Sequence, residues 1–471
     1  MATATETHVQ QPLELQARSS PARSTSPTSS QAEDQASRLE RLRTREPIED
    51  DGLPPQDRGR KAWTFIAAAF VLETFIWGFG YSFSTVLVWF QANDPWRQYS
   101  LAALSSIGTV QFALQYFLPI FIVNGFRRYP EYAKPILLGS AVIFSLAMLA
   151  ASWATKIWHL ILLNGFVQGT TGAILYTPIV QHLNSWFVER RGLASGIVFA
   201  GTGIGGATFP FLLSKLLDNY GFSGMCRIWA LTVGIASVGS VLVLQPRNPP
   251  VKPKGKREKW FLLDLRILRS STFWIMAATT FLSSLSYFPV SLYLATYTAS
   301  VLQSSSLLLP SVVVAVFNAS AFVGSAVIGA AADKSVSLTI ISLGVVGTIY
   351  ALCGWGLSDS LAGVTVFAVL YGFGSRITAY FGPGAKLIAG SNPHASTTIL
   401  CFFSIVRGIA AVAGPFIATG LYQEKNKDSK SEKWGRYGFQ GVIIFVGIMS
   451  FCSAIGGIAL HFVRQRQRGA K

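Results

Sequence analysis

Long apolar runs, separated by short polar stretches, recur along the chain from residue 63 to near its end. A helix needs about 20 apolar residues to cross the roughly 30 Å hydrocarbon core of a bilayer. About twelve runs here reach that length, and only 13% of all residues are charged. The sequence therefore predicts an all-α polytopic membrane protein. The predicted spans are residues 63–90, 101–124, 135–154, 157–182, 192–217, 224–244, 272–298, 306–331, 337–357, 361–385, 396–421 and 438–463.

A basic segment divides the predicted spans into two groups of six. This linker, residues 246–270, is rich in Lys and Arg and is expected in the cytoplasm. Six spans, a linker and six more spans is typical of two related half-bundles. We expect these half-bundles over residues 61–245 and 271–463.

The ends of the chain differ in composition from the spans. Residues 1–60 are rich in Ser, Thr, Pro, Gln and charge, so they predict a disordered tail. Lys and Arg concentrate in the loops on the same side of the membrane as the N-terminus. This places the N-terminal tail and a short tail at residues 464–471 in the cytoplasm. The lysine-containing loop over residues 425–436 falls outside in this orientation and counts against it.

A glycine-rich stretch in the fifth span matches the dinucleotide-binding fingerprint at Gly201, Gly203 and Gly206. That fingerprint requires a preceding strand and a helix N-terminus beneath the pyrophosphate. Here the glycines lie inside one apolar run, so neither requirement is met. We expect small residues such as Gly201 and Gly205 to let a neighbouring helix approach closely, and we expect no nucleotide cofactor.

The entrance to the fifth span has a distinctive motif. The motif begins at Trp186-Phe187, continues through Arg190-Arg191 to Gly196, and is followed by the glycine stretch. It is similar to the segment that enters helix five in the monocarboxylate-porter family of the major facilitator superfamily, which has many fungal members. Asp333-Lys334 after the eighth span resembles the cytoplasmic turn of that superfamily. The resemblance implies twelve helices in two half-bundles, with Arg190, Arg191 and Asp333 in packing or conformational roles.

Two positions depart from the pattern of that family. Animal members carry a lysine late in helix one, where this chain has Phe83-Ser84-Thr85-Val86. They also carry an Asp/Arg pair in helix eight, and many fungal members have an arginine where this chain has Ser325. The resemblance therefore implies the fold, and lactate–proton symport does not follow from it.

Three ionisable residues fall deep inside predicted spans. They are Glu73 in the first, Arg376 in the tenth and Arg407 in the eleventh. A charge at the bilayer centre costs at least about 2.5 kcal/mol, so such residues persist for a reason. The resemblance places Glu73 and Arg376 on opposite half-bundles facing one cavity. There Arg376 would bind an anionic substrate, and Glu73 would accept a proton or act as the countercharge.

Structural roles for these charges remain open. Glu73 and Arg376 would otherwise form a permanent ion pair that locks the half-bundles, and either arginine would reach an interface by snorkelling. Arg407 is a further candidate for substrate contact, on a helix that transporters of this type place between the half-bundles.

Polar side chains in the fourth span form a stripe. Asn164, Gln168 and Thr171 stand at helical spacing and share one face. They predict either hydrogen bonds to a substrate or hydrogen bonds to a neighbouring helix. Tyr287 in the seventh span and Tyr380 in the tenth are further candidates for substrate contact.

These observations predict a secondary transporter of small organic solutes that works by alternating access. Efflux of a fungal secondary metabolite or organic acid is favoured. Proton-coupled uptake or exchange of a monocarboxylate is the alternative, and a non-transporting sensor or scaffold is the alternative from another class. The sequence has no ATP-binding motif and no nucleophile spaced to act with a base, so no enzyme is predicted.

The expected partners are a small-molecule substrate, a proton and membrane lipids. Basic residues lie in short clusters between spans, with no recognition module for nucleic acid. The four cysteines have no paired spacing, so neither a metal site nor another cofactor is expected. We predict a monomer in the plasma membrane.

Overall fold

The computed structural model describes residues 53–187, 191–248, 257, 265–303, 306–375, 377–390, 393–423 and 434–469. Within these ranges the chain forms helices and no strand. Most of the predicted N-terminal tail, most of the basic linker, and the predicted site residues Arg190 and Arg376 lie outside the described residues.

Twelve apolar helical segments, α1 to α12, follow one another along the described chain, and several contain breaks. Their bounds are α1 Arg60–Ala92; α2 Leu101–Phe117 with Pro119–Arg128; α3 Ala133–Ala151; α4 Ile157–Leu160 with Ile161–Val167 and Gln168–Trp186; α5 and α6 together Arg191–Val243; α7 Ser271–Leu302; α8 Leu308–Lys334; α9 Val336–Ile349 with Tyr350–Trp355; α10 Leu361–Gly374 with Ile377–Tyr380 and Phe381–Ala389; α11 Pro393–Leu421; and α12 Gln440–Gly469. We take α5 as the part before Gly221 and α6 as the part after it, because the backbone of Gly221 is not helical.

Nine helices in the described part of the chain are long and apolar enough to cross a membrane, or ten if the bent pair in α2 is one span. One of the nine, Gly196–Val243, has 48 residues. At 1.5 Å per residue it is about twice as long as a bilayer core is thick, so α5 and α6 account for two crossings. Leu231 and Ile235 of α6 are more than half exposed, which is typical of a lipid-facing surface. The predicted all-α polytopic membrane fold is confirmed.

Side chains complete the hydrogen bonding at several helix ends. Ser100, Ser270 and Ser335 each accept a hydrogen bond from the backbone N–H three residues later, which caps the N-termini of α2, α7 and α9. At the C-terminus of α6, Lys134 Nζ of α3 donates to the carbonyl oxygens of Leu242 and Leu244, at 3.0 and 3.2 Å. A cation at a helix C-terminus also favours the helix dipole, so Lys134 ties α3 to the end of α6.

Glycines bring α1 and α5 into direct backbone contact. A Cβ added at Gly205 would lie 2.6 Å from the carbonyl oxygen of Thr74 and 3.0 Å from Cα of Gly78. A Cβ added at Gly201 would lie 2.5 Å from the carbonyl oxygen of Phe70. Because the distances to the two carbonyl oxygens are shorter than real contacts, only glycine fits here. The stretch that mimics a nucleotide fingerprint is thus the interior of a packed helix.

Hydrogen bonds also join the two half-bundles. Asn318 Nδ2 of α8 donates to the carbonyl oxygens of Gly206 in α5, at 3.0 Å, and Tyr81 in α1, at 3.4 Å. Thr296 Oγ1 of α7 donates to Gln91 Oε1 of α1 at 3.2 Å. These contacts lie between the middle of the bundle and the end at which α1 terminates.

The helix ends differ slightly from the predicted ones. The last helix continues past residue 463, where the short tail was predicted to begin, and runs to Gly469. Its added turns carry Arg464 and Arg466, which a membrane interface readily accommodates.

The glycine contact between α1 and α5 yields a first prediction. We expect Gly205→Leu to force α1 and α5 apart, because the new side chain would overlap the backbone of Thr74 and Gly78. Overpacking of this kind costs about 1–3 kcal/mol or more. The measurement is the thermal unfolding midpoint of the purified protein in detergent, with recovery of monodisperse protein as a second readout.

Gly196→Leu is the matched control, since a Cβ added at Gly196 meets nothing within 4 Å. It should leave the unfolding midpoint close to that of the parent protein. Equal destabilisation by the two variants would contradict the proposed close packing.

Candidate functional site

Arg407 of α11 is buried where the two half-bundles meet. Its side chain is 1% exposed, and its guanidinium carbon lies 5.2 Å from the ring centroid of Tyr116, 5.0 Å from that of Tyr287 and 4.9 Å from that of Phe288. Tyr116 belongs to α2 in the first half-bundle, whereas Tyr287 and Phe288 belong to α7 in the second. The cation is therefore held by aromatic faces from both halves.

Local packing explains the position of this arginine. A Cβ added at the neighbouring residue, Gly408, would lie 3.1 Å from Cβ of Tyr116 and 3.2 Å from the carbonyl oxygen of Ala113. The glycine therefore lets α11 approach α2 closely enough for the guanidinium to reach the ring of Tyr116.

Arg407 has few hydrogen-bond partners of its own. Nη1 donates to Ser284 Oγ over a long 3.5 Å, and Nε has no partner among the described residues. No carboxylate in the described part of the chain forms an ion pair with it. Ring faces stabilise a desolvated cation by about 2 kcal/mol or more, which offsets only part of the cost of burial. The site is thus chemically suited to an anion.

The rings around Arg407 belong to a larger group, the aromatic chamber, formed by Trp77, Tyr81, Phe112, Tyr116, Tyr176, Tyr287 and Phe288. The centroid of Trp77 lies 4.9 Å from that of Tyr116 and 5.3 Å from that of Tyr176. The hydroxyls of Tyr81 and Tyr116 are hydrogen-bonded at 3.2 Å. Ring pairs at these distances add about 0.5–1.5 kcal/mol each to the packing energy.

Sequence reasoning missed most of this chamber. The available signal was the spacing of aromatic residues four apart, Trp77 with Tyr81 in α1 and Phe112 with Tyr116 in α2. Aromatic residues are frequent throughout the chain, so this spacing did not separate the chamber from lipid-facing positions.

Glu73 lies on α1, one helical turn before Trp77, and is 3% exposed. Thr202 Oγ1 of α5 donates a hydrogen bond of 2.9 Å to its Oε1. The carboxylate therefore sits at the contact between α1 and α5, on the turn next to the aromatic chamber. Because Arg376 is outside the described residues, its pairing with Glu73 stays a prediction.

The polar stripe of α4 points into the first half-bundle. Asn164 and Gln168 are both almost fully buried, and Gln168 Nε2 donates to the carbonyl oxygen of Phe144 in α3 at 3.3 Å. Thr171 Oγ1 donates back to Val167 O of its own helix. Hydrogen bonding within the half-bundle, the alternative left open by the sequence, accounts for the contact of Gln168.

Tyr380 lines a pocket inside the second half-bundle. The pocket is also lined by Tyr287 and by a network of hydroxyls. Ser286 Oγ is 2.6 Å from Tyr371 Oη and 2.7 Å from Ser450 Oγ. Of the residues predicted to contact a substrate, Tyr287 lines this pocket and also packs against the guanidinium of Arg407.

The remaining predicted residues lie at helix ends or in helix contacts. Arg191 begins the helix of α5, and Gly201 and Gly205 form the close contact with α1. Asp333 is exposed in the last turn of α8. No group of three or more His, Cys, Asp or Glu side chains suited to a metal occurs among the residues with described positions.

Known proteins show the same architecture and related sequences. A sequence model of the Major Facilitator Superfamily matches residues 74–415. The aspyridones efflux protein apdF of Emericella nidulans is 25% identical over 408 residues, covering 86% of this chain and 80% of its own. The MFS-type transporter hasB of Aspergillus fumigatus is 28% identical over 444 residues, covering 88% and 92%.

The crystal structure of the nucleoside transporter NupG superposes with a TM-score of 0.62 at 14% identity, covering 86% of this chain and 99% of NupG. At that identity the likeness concerns the fold alone. Since the family match extends over more than half of the sequence, this chain belongs to the Major Facilitator Superfamily.

Proposed function

We propose that this transporter exports a small organic anion with an apolar, ring-containing body, the chemistry of many acidic secondary metabolites. The observation that carries the proposal is Arg407, a buried cation held by aromatic rings without a carboxylate partner in the described chain. An entering anion would pair with the guanidinium, and its apolar body would pack on the rings of the chamber.

The position between half-bundles suits alternating access. The anion site contains Tyr116 from one half and Tyr287 from the other. A rocking motion of the halves would therefore change the arrangement of rings around the bound solute. The hydrogen bonds of Asn318 and Thr296 to the first half-bundle would have to break in that motion.

Glu73 is the proposed proton carrier. It is buried at the mid-depth of α1, one turn from the aromatic chamber, and accepts a hydrogen bond from Thr202. A carboxyl that alternates between the charged and neutral forms would couple solute movement to the proton gradient. Because export would be driven by protons that move inward, Glu73 would be charged while the anion is bound and would take up its proton after the anion has left.

The direction of transport and the membrane are inferred from relatives and charge. Relatives named as efflux proteins for fungal metabolites favour export, through the plasma membrane, with both termini in the cytoplasm. In that orientation the hydrogen bond of Thr296 near the end of α1 lies on the outer side, so it would have to break when the solute is released. Proton-coupled monocarboxylate uptake, as the monocarboxylate-porter resemblance implies, would use the same Arg407 and Glu73 in the opposite direction.

The anion site gives a second prediction. We expect Arg407→Met to lower the rate of transport of an aromatic carboxylate by about 10–100-fold, because a charge-assisted contact of about 1.5–3 kcal/mol is lost. Arg407→Lys keeps the charge and should lose less. The measurement is uptake of labelled benzoate or a larger aromatic acid into inverted vesicles that contain the protein.

Arg227→Met is the matched control. Arg227 also lies over an aromatic ring, that of Trp153 at 5.3 Å. It belongs to the first two turns of α6 and is not one of the residues around Arg407. Its replacement should leave anion transport unchanged. Equal loss in both variants, or retention of transport in Arg407→Met, would argue against an anion site at Arg407.

The coupling role of Glu73 gives a third prediction. Glu73→Gln keeps the shape and the contact with Thr202 but removes the titratable proton. We expect accumulation driven by a pH gradient to be lost, while exchange of labelled for unlabelled solute at equal pH continues.

Thr202→Val is the companion variant, because it removes the hydroxyl donor and leaves the carboxyl in place. It should shift the pH dependence of transport without abolishing gradient-driven accumulation. Normal pH-driven accumulation by Glu73→Gln would exclude Glu73 as the proton carrier.

A further inference from the structure

Four carboxamide side chains are buried on α2 and α4, two helices that cross closely in the first half-bundle. Gln111 and Gln115 belong to α2 and are 1% and 0% exposed; Asn164 and Gln168 belong to α4 and are 2% and 1% exposed. Within each pair the residues stand four apart, so they occupy one face of their helix. We call these four residues the amide seam.

Glycines on α4 hold the two helices together at this seam. A Cβ added at Gly169 would lie 3.0 Å from the carbonyl oxygen of Gln111, and one added at Gly172 would lie 2.8 Å from Gln115 Nε2. Gln168 is the neighbour of Gly169 on α4. Gln111 and Gln115 therefore line the close crossing of α2 and α4, and Gln168 lies beside this crossing and reaches towards α3.

Much of the hydrogen-bonding capacity of the seam is unused by the protein. Gln115 Nε2 donates to Ile76 O and Gln168 Nε2 to Phe144 O, both at 3.3 Å. Five other buried amide atoms have no protein partner among the described residues: Nε2 and Oε1 of Gln111, Oε1 of Gln115, Oδ1 of Asn164 and Oε1 of Gln168. Each such atom lowers the stability of the fold by about 1–3 kcal/mol when it is left without a hydrogen bond. Five unpaired atoms would therefore be strongly destabilising.

The backbone beside the seam departs from a regular α-helix. Residues Ile161–Val167 of α4, which include Asn164, form a π-helical turn. Turns of this kind widen the helix and are frequent at functional sites.

We propose that the amide seam is an internal binding site for water. The amides are neutral and offer both donors and acceptors, which fits water and gives no countercharge for an ion. A buried water makes about three hydrogen bonds, so five unused atoms call for about two molecules, with further bonds to the backbone. The site is separate from Arg407 and does not depend on the solute that is transported.

Pulsed hydroxyl-radical labelling of the protein in lipid nanodiscs tests the proposal directly, because radicals generated from bound water oxidise the side chains beside it. Phe144, whose ring edge lies 3.5 Å from the Cβ position of Gly172, is the reporter. Phe79 is equally buried, at 2% exposed, and packs on Trp229 in the same half-bundle; it is the control. We expect faster oxidation of Phe144 than of Phe79, and equal slow rates would overturn the proposal.

Amide replacement provides a second measurement. Gln111→Met and Gln168→Met keep volume but remove the groups that hold water, so the remaining amides lose their partners. We expect each to lower the unfolding midpoint by about 2–4 °C. Leu114→Met on α2 is the packing control. A rise in the midpoint would mean that the amides are dry and unpaired, which contradicts the site. If a variant does not fold, the ratio of Phe144 oxidation to Phe79 oxidation in the parent protein still tests the proposal.

Discussion

The glycine contact between α1 and α5 fixes much of the polar architecture of the bundle. It brings Thr202, the neighbour of Gly201, within hydrogen-bond distance of Glu73. It also sets the rotation of α1, and hence the face on which Trp77 and Tyr81 stand. On the same stretch of α5, Gly206 offers its carbonyl to Asn318 of the other half-bundle. One backbone contact therefore positions the acidic group, two of the seven rings of the aromatic chamber and a hydrogen bond across the interface.

The acidic and basic groups in the centre are stabilised by different means. Glu73 accepts a hydrogen bond from a hydroxyl, whereas Arg407 lies over ring faces that attract a cation without neutralising it. In a medium of low dielectric constant a cation that is only partly compensated attracts an anion strongly. This difference would let the proposed site favour an anionic solute although a carboxylate is present in the same bundle.

The sequence predicted the fold well, and it predicted the burial of two charged residues, Glu73 and Arg407. Run length and charge identify membrane helices, because the bilayer admits few other structures, and depth in a span identified Glu73 and Arg407 as buried. The direction in which a side chain points depends on helix rotation and crossing, which one sequence does not contain. Gln168 accordingly points to α3, and Tyr380 lies in the hydroxyl pocket. The π-helical turn in α4 also changes the angular spacing that a regular helix would give to Asn164.

Two groups of buried polar side chains, one in each half-bundle, are satisfied by different means. In the second half, Ser286, Tyr371 and Ser450 satisfy one another directly, since a hydroxyl both donates and accepts and rotates to suit its neighbours. In the first half, the amides at the crossing of α2 and α4 are longer and planar, and their oxygens are not matched by donors among the described residues. A self-satisfied network has one preferred arrangement, whereas a site that exchanges hydrogen bonds with water accepts several. By this reasoning the amides of α2 and α4 can adopt several hydrogen-bond arrangements while the glycines keep the two helices in contact, and it is α4 that supplies Tyr176 to the chamber around Arg407.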